Sequence, residues 1–498
     1  MRLPKGLNFT LAHTSFYMQK TETRTFVAMI VAVFAMLASG CVVDPSELSD
    51  STIQAGSAYR NGEVKRPMLP VGRWWGCFDD AELNRLMKKL DRDNPSLAVA
   101  LARYDRARAE LGLAKADGAP KIRGDVQAQR KRDSSSGVFV PTDLTYNEFR
   151  SALNLEYEID LWGRVRQTVA AAEAESDAAE ADWAAARLSI RAELARNYFQ
   201  LRFHDSELSV VRESLRLREE NRKLVLARVE GGEATDLDLA RAETEQEATR
   251  AEMLQLERIR ATYFNALAAL VGEVPATFSL RDGQVKLPPG IPSGIPSELL
   301  SRRPDIVAAD RRMDAAAARI GAVRATYLPR INLVGAGGLS SLSLADFFDP
   351  SSLFGEIGPQ IEIPLYNAGR SGLDEDRAFA ESDEAVALYR ESALAAFREV
   401  EDALSGIRFL DREIEAHRSA AGSAERAARL SWKRYEGGLV SFLEVVDAER
   451  TALAETRQLV QAKSARLLET VQLIQALGGG WEMPQPEAAA HHRAAAAP

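Results

Sequence analysis

The sequence predicts a mixed α and β membrane protein with an internal duplication, in which strands alternate with long helical hairpins. Two stretches around Gly-Gly pairs repeat each other, two others alternate between apolar and charged residues, and the gaps between them carry long helical patterns. The chain has 498 residues and a formal net charge of -9, so its composition gives no support to a nucleic-acid partner.

The clearest repeat surrounds the Gly-Gly pairs. The stretch Arg434–Arg450 (RYEGGLVSFLEVVDAER) matches Arg228–Glu243 (RVEGGEATDLDLARAE) at Arg, Glu, both glycines, Leu, Ala and Glu. In each copy a helical pattern stops at the glycines and a second one begins at a hydroxyl residue, Thr235 or Ser441. Glycine past a helix end and a hydroxyl residue at the next helix start are the expected boundaries. We therefore interpret both stretches as tips of helical hairpins.

A second repeat sets the domain boundaries. Pro95 and Pro304 each begin a helical pattern, and another proline follows 25 residues later in both copies, at Pro120 and Pro329. Proline is tolerated at the start of a helix and excluded from its interior. We predict a first repeat at 95–287, a Pro- and Gly-rich linker at 288–303 and a second repeat at 304–481.

After each second proline the pattern changes to a period of two. Residues 146–160 and 353–365 alternate apolar with charged side chains, which places the apolar ones on one face of a strand. This is the pattern of a membrane-barrel strand. Weaker partner strands are predicted at Ile122–Arg130 and Ile331–Gly337.

Long helices follow the strands. Gly163 and Gly369 each stand 68 residues before a Gly-Gly tip, so a helix that fills most of that gap is roughly 100 Å long. Leucines spaced seven apart predict a coiled-coil-like seam at Leu194, Leu201, Leu208 and Leu215. After each tip a second helix returns.

The N-terminus has the pattern of a bacterial lipoprotein signal. Basic residues precede an apolar run that ends in Ser-Gly-Cys at Cys41. This resembles the lipobox, in which the cysteine is lipidated after cleavage, although Ala38 stands where a large aliphatic residue is usual. We predict a signal peptide at 1–40 and lipidation of Cys41, with an ordinary signal cleaved nearby as the alternative. Either Met1 or Met18 is the start.

The remaining segments give little sign of chemistry. We predict an extended lead-in with a short helix at 41–94, where Trp74 and Trp75 either pack against the helical body or anchor it at a membrane interface. The tail at 482–498 is Ala-rich and predicted to be disordered. The few cysteines and scattered histidines predict no disulfide framework, metal site or cofactor; metal binding by His491 and His492 is the alternative.

An enzyme is not predicted. The glycine-rich stretch Gly335–Ser341 lies in a strand pattern and no helix follows it, so it is no nucleotide-binding loop. The sequence shows no nucleophile–base pair in a supporting context, so no catalytic residue is assigned.

The strands require partners from other copies. Past the signal, no apolar run is long enough to span a bilayer as a helix. Strands that span a bilayer must close into a barrel, because an open edge in lipid is too costly, and about eight strands are the usual minimum. With four strands per chain, several copies must pool their strands and, with them, their long helices into a hollow tube.

Four further stretches carry long motifs. They are YEIDLWGRVR (Tyr157–Arg166), SRRPDIVAADRRMDAA (Ser301–Ala316), AFREVEDALS (Ala396–Ser405) and QALGGGW (Gln475–Trp481). Together with the second hairpin tip they resemble the outer-membrane efflux protein family of the TolC, OprM and NodT type. Within that family the chain resembles the lipoprotein branch that serves resistance-nodulation-division (RND) pumps.

The resemblance implies a homotrimer with a 12-stranded outer-membrane β-barrel that continues into a long α-helical coiled-coil periplasmic tunnel. It implies a passive exit duct for small molecules such as drugs, anchored to outer-membrane lipid and docked to a periplasmic adaptor and an inner-membrane RND pump. Two alternatives stay open. The outer-membrane duct of an ATP-driven exporter shares the fold, and a lipid-tethered coiled-coil scaffold without a pore leaves the alternating strands unexplained.

The resemblance also assigns site residues. The family's periplasmic gate has a ring of Leu, Asp and Arg that matches Leu443, Asp447 and Arg450, and their spacing places them on one helical face. Asp447 is expected to pair with Arg450 or with Arg241 on the neighbouring hairpin; an ordinary solvated helix face is the alternative. Adaptor docking, with a plain turn as the alternative, is expected at the tip residues Gly231, Gly232, Gly437, Gly438, Leu439, Val440 and Ser441.

Overall fold

The computed structural model describes residues 48–53, 55–56, 58–61, 72–132, 145–281, 283, 290–291 and 296–481. The predicted signal peptide, Cys41 and the Ala-rich tail with His491 and His492 lie outside the described residues. In this described part, no helix combines the length and the apolar character needed to cross a bilayer.

The elements form two similar series. The first follows a 3-10 helix at Trp74–Phe78 and helix α1 (Ala81–Asp93), and it consists of α2 (Pro95–Asp117), β1 (Lys121–Arg132), β2 (Thr145–Glu158), α3 (Arg164–Glu230) and α4 (Asp236–Leu270). The second follows helix α5 (Pro296–Arg302), and it consists of α6 (Pro304–Thr326), β3 (Arg330–Ser341), β4 (Leu353–Glu362), α7 (Arg370–Glu436) and α8 (Phe442–Ala476). Helix α5 falls in the stretch predicted to be a linker, which is therefore partly helical.

Corresponding helices of the two series have equal lengths of 23, 67 and 35 residues. The predicted starts of the two long helices are confirmed, because α3 begins directly after Gly163 and α7 directly after Gly369. Both glycines have a positive φ, 82° and 81°, a conformation that glycine adopts without a steric penalty. At 1.5 Å per residue, each 67-residue helix is about 100 Å long.

The chain divides into two compact units, and the smaller contains the sheet with residues 109–174 and 313–384. The four strands are antiparallel in the order β1-β2-β3-β4. All four predicted strands are present. Strand β1 is longer than predicted because basic residues extend its pairing at both ends, and β3 is longer because glycine and serine residues extend it. Strands β2 and β4 end at Glu158 and Glu362, two and three residues before the predicted ends. The alternation is confirmed, since register pairs Val126 with Ser151 on one face and Gln127 with Arg150 on the other.

One face of this sheet is apolar and exposed. Val126 is 84% exposed, Ile357 73%, Leu353 72% and Ile122 69%. Exposed apolar rows of this extent indicate a surface made for lipid or for a partner. The opposite face carries charges of both signs, with Arg150 and Glu356 among them.

The larger unit contains residues 50–108, 175–312 and 385–498 and is mostly helical. The predicted leucine seam is confirmed, because Leu194, Leu201 and Leu208 are at most 1% exposed and Leu215 is 9% exposed. The prediction that Trp74 and Trp75 pack against the helical body is also confirmed, since both are buried in the same core cluster as Leu194 and Leu201. Trp75 Nε1 donates a hydrogen bond to Asn84 Oδ1 at 2.9 Å.

Two equivalent glycines permit close backbone packing at the ends of α4 and α8. A Cβ on Gly272 would lie 2.4 Å from the carbonyl oxygen of Asp93, and one on Gly478 would lie 2.3 Å from that of Arg302. Both glycines also have positive φ, 74° and 84°. The glycines of the ALVG and ALGG endings therefore let each returning helix meet the segment that precedes α2 or α6.

Candidate functional site at the hairpin tips

The two predicted tips have the same backbone geometry. In the first, the Glu233 N–H donates to the Arg228 carbonyl at 2.7 Å; in the second, the Leu439 N–H donates to the Arg434 carbonyl at 2.9 Å. With Gly232 at φ 75° and Gly438 at φ 71°, these are Schellman endings of α3 and α7. The second glycine of each pair is therefore required by the turn itself.

The first glycine of each pair has no such requirement. Gly231 and Gly437 do not have a positive φ, and a Cβ on either would make ordinary contacts of 3.5 Å or more. Alanine would fit at both positions within this chain. Because neither glycine carries a side chain, the backbone of a partner could approach the tips closely at these two positions.

The two returning helices start differently. Thr235 caps α4 with a full capping box, in which Asp238 donates its N–H to the Thr235 hydroxyl and accepts from the Thr235 N–H. Ser441 occupies the equivalent position before α8, but its hydroxyl makes no capping hydrogen bond. Ser441 is exposed, as are Leu439 (73%) and Leu237 (59%).

A small core locks the two tips together. Val225, Ala242, Tyr435, Phe442 and Val445 are buried against one another, so all four hairpin helices contribute. Arg228 adds a polar tie: its guanidinium carbon lies 4.8 Å from the centre of the Tyr435 ring, and its Nη1 donates to the Tyr435 carbonyl at 3.1 Å. The tips are therefore held beside each other by both apolar and cation–π contacts.

The structure places the predicted gate residues on one exposed face of α8. Leu443 is 51% exposed, and Asp447 and Arg450 are exposed as well. Across the described residues Asp447 has no ion-pair partner, whereas Arg241 pairs with Asp238 at 3.7 Å. Within one chain, neither of the arginines expected to pair with Asp447 forms an ion pair with it.

Arg450 instead binds Glu245 of α4, a residue that the sequence analysis missed. Glu245 is only 6% exposed, and its Oε2 lies 2.8 Å from Nη1 of the equally buried Arg218 of α3. Arg218 also donates to the Thr249 hydroxyl at 2.5 Å. An ionic chain thus runs from the exposed Arg450 into the helix packing and joins α8, α4 and α3.

Glu449, the neighbour of Arg450, is the second residue that was missed. Burial raises the pKa of its carboxyl group, and the nearby Glu245 adds to the rise, whereas Arg218 and a hydrogen bond from Asn221 (2.6 Å) oppose it. Glu449 and Asn221 line a groove of about 890 Å³ between α3, α7 and α8. Five glutamates and two basic residues line that groove, beside the side chain of Trp432.

The sequence of this chain matches a known protein family. The family model described as outer membrane efflux protein matches residues 86–273 and 295–479. Outer membrane protein OprJ of Pseudomonas aeruginosa is 35% identical over 82% of this chain and 86% of that relative. Cation efflux system protein CusC of Escherichia coli is 30% identical over 82% of this chain and 88% of that relative.

Solved structures of outer-membrane channels have the same fold. The outer membrane protein VceC of Vibrio cholerae superposes with a TM-score of 0.79 at 32% identity, covering 83% of this chain and all of VceC. The open state of the MtrE outer membrane channel of Neisseria gonorrhoeae gives a TM-score of 0.80 at 27% identity, over 87% of this chain and 97% of MtrE. The chain therefore belongs to the outer membrane efflux protein family and is an outer-membrane efflux channel protein.

Proposed function

We propose that the chain works as a homotrimer in which each copy contributes four strands to a 12-stranded barrel and four long helices to a periplasmic tunnel. The observation that carries this proposal is the open sheet, whose apolar face is exposed and whose opposite face is charged. In lipid, the free edges of β1 and β4 would leave backbone groups without partners, and closure with two further copies satisfies them. The equal element lengths of the two series support two repeats, 95–287 and 304–481, that arose by duplication.

The trimer acts as a passive exit duct for small molecules. An RND pump in the inner membrane supplies the energy, and a periplasmic adaptor connects the pump to the hairpin tips. The names of relatives include cation efflux, antibiotic efflux and pyoverdine export, so one channel architecture accompanies different cargoes. The duct of an ATP-driven exporter is the second candidate, because it would share the same strands and hairpin tips.

Lipidation of Cys41 fits the position of the first described residues. Ser49 Oγ donates to Asp383 of α7 at 2.5 Å, and Asp383 lies 13 residues, or about 20 Å, along α7 from its start at Arg370. Eight residues separate Cys41 from Ser49, and an extended chain of that length spans about 27 Å. A lipid on Cys41 would therefore reach the end of α7 that adjoins the strands.

The tips dock the adaptor. The turn would tolerate a side chain at Gly231 and at Gly437, so these glycines leave room for a partner. The second tip is the more apolar one; it contains Gly437, Leu439, Val440 and Ser441, whose hydroxyl makes no capping hydrogen bond. The adjoining groove, with its excess of glutamates, would favour basic side chains on a helical partner. Leu443, Asp447 and Arg450 form the periplasmic gate, with Arg241 on the neighbouring hairpin.

A photo-activated cross-linking residue at Ser441 tests the partner in cells. A matched probe at Glu415, which is exposed on α7 about 30 Å before the tip, serves as the control. Capture of an adaptor encoded beside an RND pump by the Ser441 probe alone supports the proposal. Capture of the adaptor of an ATP-driven exporter supports the second candidate, and no capture from folded trimers contradicts docking at this tip.

Alanine variants separate docking from folding. Gly437→Ala should leave the thermal unfolding temperature unchanged and reduce adaptor capture, because its Cβ meets only ordinary contacts within the chain. Equal capture by Gly437→Ala and the wild type would mean that this glycine belongs to a plain turn.

A further inference from the structure

Helix α7 differs from its counterpart α3 in its glycine content. Both helices have 67 residues and the same place in their series, yet α3 contains no glycine. Beyond its first turn, α7 has the pairs Ser405-Gly406 and Gly422-Ser423. Glycine in the middle of a helix costs stability, and Gly/Ser pairs are among the common sites of sharp helix kinks. Because α7 is helical without interruption through both pairs, they permit a bend that is not present in this conformation.

Packing explains Gly406 but not Gly422. A Cβ on Gly406 would lie 3.1 Å from Cδ of Glu469 of α8, so a side chain there would displace this neighbour. A Cβ on Gly422 would meet the end of the Arg426 side chain at an ordinary 3.8 Å. Alanine, the best helix former, would fit at this position. Gly422 therefore has no packing role that would require a glycine.

The middle of α7 has few core contacts. Among the described residues, α7 contributes to one hydrophobic cluster up to Ile407 and to another from Trp432. Between these two residues its buried side chains are Ile414 and two alanines, Ala421 and Ala424. Small side chains bury little apolar area and stabilise packing correspondingly little. This part of the helix is therefore held less firmly than the stretches on either side of it.

A groove gives α7 room to move on the tip side of Gly422. The groove of about 890 Å³ between α3, α7 and α8 is lined by residues of α7 within 425–436. The described cluster at this level contains Leu453 of α8 with residues of α3 and α4, and none of α7. On the other side of Gly422, His417 Nδ1 lies 3.1 Å from a carboxylate oxygen of Glu455 of α8. Gly422 thus lies between an anchored stretch and one beside open space.

We propose that Gly422-Ser423 is a hinge at which α7 bends when the second hairpin tip opens. Fifteen residues, or about 22 Å of helix, separate Gly422 from the tip at Gly437. A kink of about 20° at the hinge would move the tip by about 8 Å. The inference rests on the proposed gate and names the point of α7 about which the gate moves.

Single-channel conductance of reconstituted full-length trimers tests the hinge, with thermal unfolding recorded as well. Gly422→Ala should raise the unfolding temperature and lower the open probability about fivefold, because alanine favours the straight helix by that factor. Gly422→Ala/Ala420→Gly moves the glycine by two positions and should restore the open probability to within about twofold of wild type. Gly112→Ala is the matched control: in the interior of α2, its Cβ would meet nothing within 4 Å, so it should leave the open probability unchanged.

Spin labels measure the bend without the channel. Glu220 of α3 and Lys433 of α7 are exposed and line the same groove from different helices. A kink of about 20° at Gly422 would change the distance between labels at these positions by about 6 Å. A second distance should be present in wild type and stronger in Arg450→Gln, which loses an ion pair with Glu245. Gly422→Ala should weaken it in both.

The outcomes separate the hinge from the channel. The hinge is overturned by an unchanged open probability in Gly422→Ala, by an equal loss in Gly112→Ala, or by a loss that the relocated glycine does not restore. A single distance across the groove in every variant has the same meaning, even where the trimers conduct. Trimers that do not conduct, but whose groove distance still depends on Gly422, would contradict the proposed channel and support the hinge.

Discussion

The ionic chain from Arg450 to Arg218 predicts how firmly the proposed gate is held closed. Arg450 is 62% exposed and contacts Glu245, whose side chain is 8% exposed. Pairs with an exposed partner contribute about 0.2–1 kcal/mol, so Arg450→Gln should shift the equilibrium towards an open tip by a factor of about 1.4 to 5. This variant loses the ion pair that joins α8 to α4 but keeps the buried pair of Glu245 with Arg218.

Glu245→Gln should have the larger effect. This substitution removes the ion pairs of Glu245 with Arg450 and with Arg218. Arg218, whose side chain is 7% exposed, then loses the carboxylate that it contacts at 2.8 Å. Removing one member of a buried pair costs about 3–5 kcal/mol. Glu449 reduces that cost towards the lower end, because the charges of Arg218 and the Glu449 carboxyl group attract each other and Arg218 thus keeps one acidic neighbour. An opening shift of more than a hundredfold is expected.

Single-channel conductance in planar bilayers compares the opening of the Arg450→Gln and Glu245→Gln variants, and thermal unfolding of both variants is recorded as well. Arg216→Gln is the control. Arg216 is 52% exposed, and its ion pairs among the described residues are with Glu213 and Glu220 of its own helix, so the conductance of this variant should equal that of wild type. A Glu245→Gln channel that unfolds at a lower temperature yet conducts as wild type would refute the reasoning. The network would then stabilise the helices without holding the gate.

Three further predictions follow from matched positions. Gly438→Ala should destabilise the tip by about 1 kcal/mol or more, since φ is 71°, whereas Gly437→Ala should be neutral; thermal unfolding distinguishes them. Val126→Arg should cost about 2–4 kcal/mol and lower the yield of folded trimer on gels, whereas Gln127→Arg, on the opposite face, should not. Glu449→Gln should unfold at a higher temperature than wild type at pH 8 and at the same temperature at pH 4. The folded-state pKa of Glu449 is raised above 4.5, so its ionisation reduces stability as pH rises.

Helix starts could be predicted from the sequence because their signals are local. Pro95 and Pro304 start helices, and Gly163 and Gly369 stand directly before the long ones, for reasons of backbone geometry alone. The strands were found by alternation, but β1 and β3 were predicted too short, where residues such as Arg132 extend the pairing, and β2 and β4 were predicted to end too late. Alternation records which face is apolar and does not record where hydrogen bonding ends.

The ionic chain could not be predicted in this way. Glu245 and Glu449 look like any glutamate on a solvated helix face in the sequence, and the packing of α3, α4 and α8 buries Glu245 and partly buries Glu449. The sequence analysis predicted that Arg450 is a gate residue and that Asp447 pairs with Arg450 or with Arg241, whereas within one chain Arg450 binds Glu245. The actual partner lies on another hairpin, and no periodic signal links positions 205 residues apart.

The two series are most alike where they set geometry and least alike beside the gate. Both tips end in a Schellman turn, and helices of equal length bring them together at Tyr435 and Arg228. Beyond the turn, the first copy uses Asp238 to cap its helix, whereas the second buries Phe442 in the shared core. That burial leaves Leu443 on the exposed side of α8. The repeated hairpin geometry therefore gives both tips the same support, and the differences after Ser441 distinguish the tip that carries the proposed gating surface.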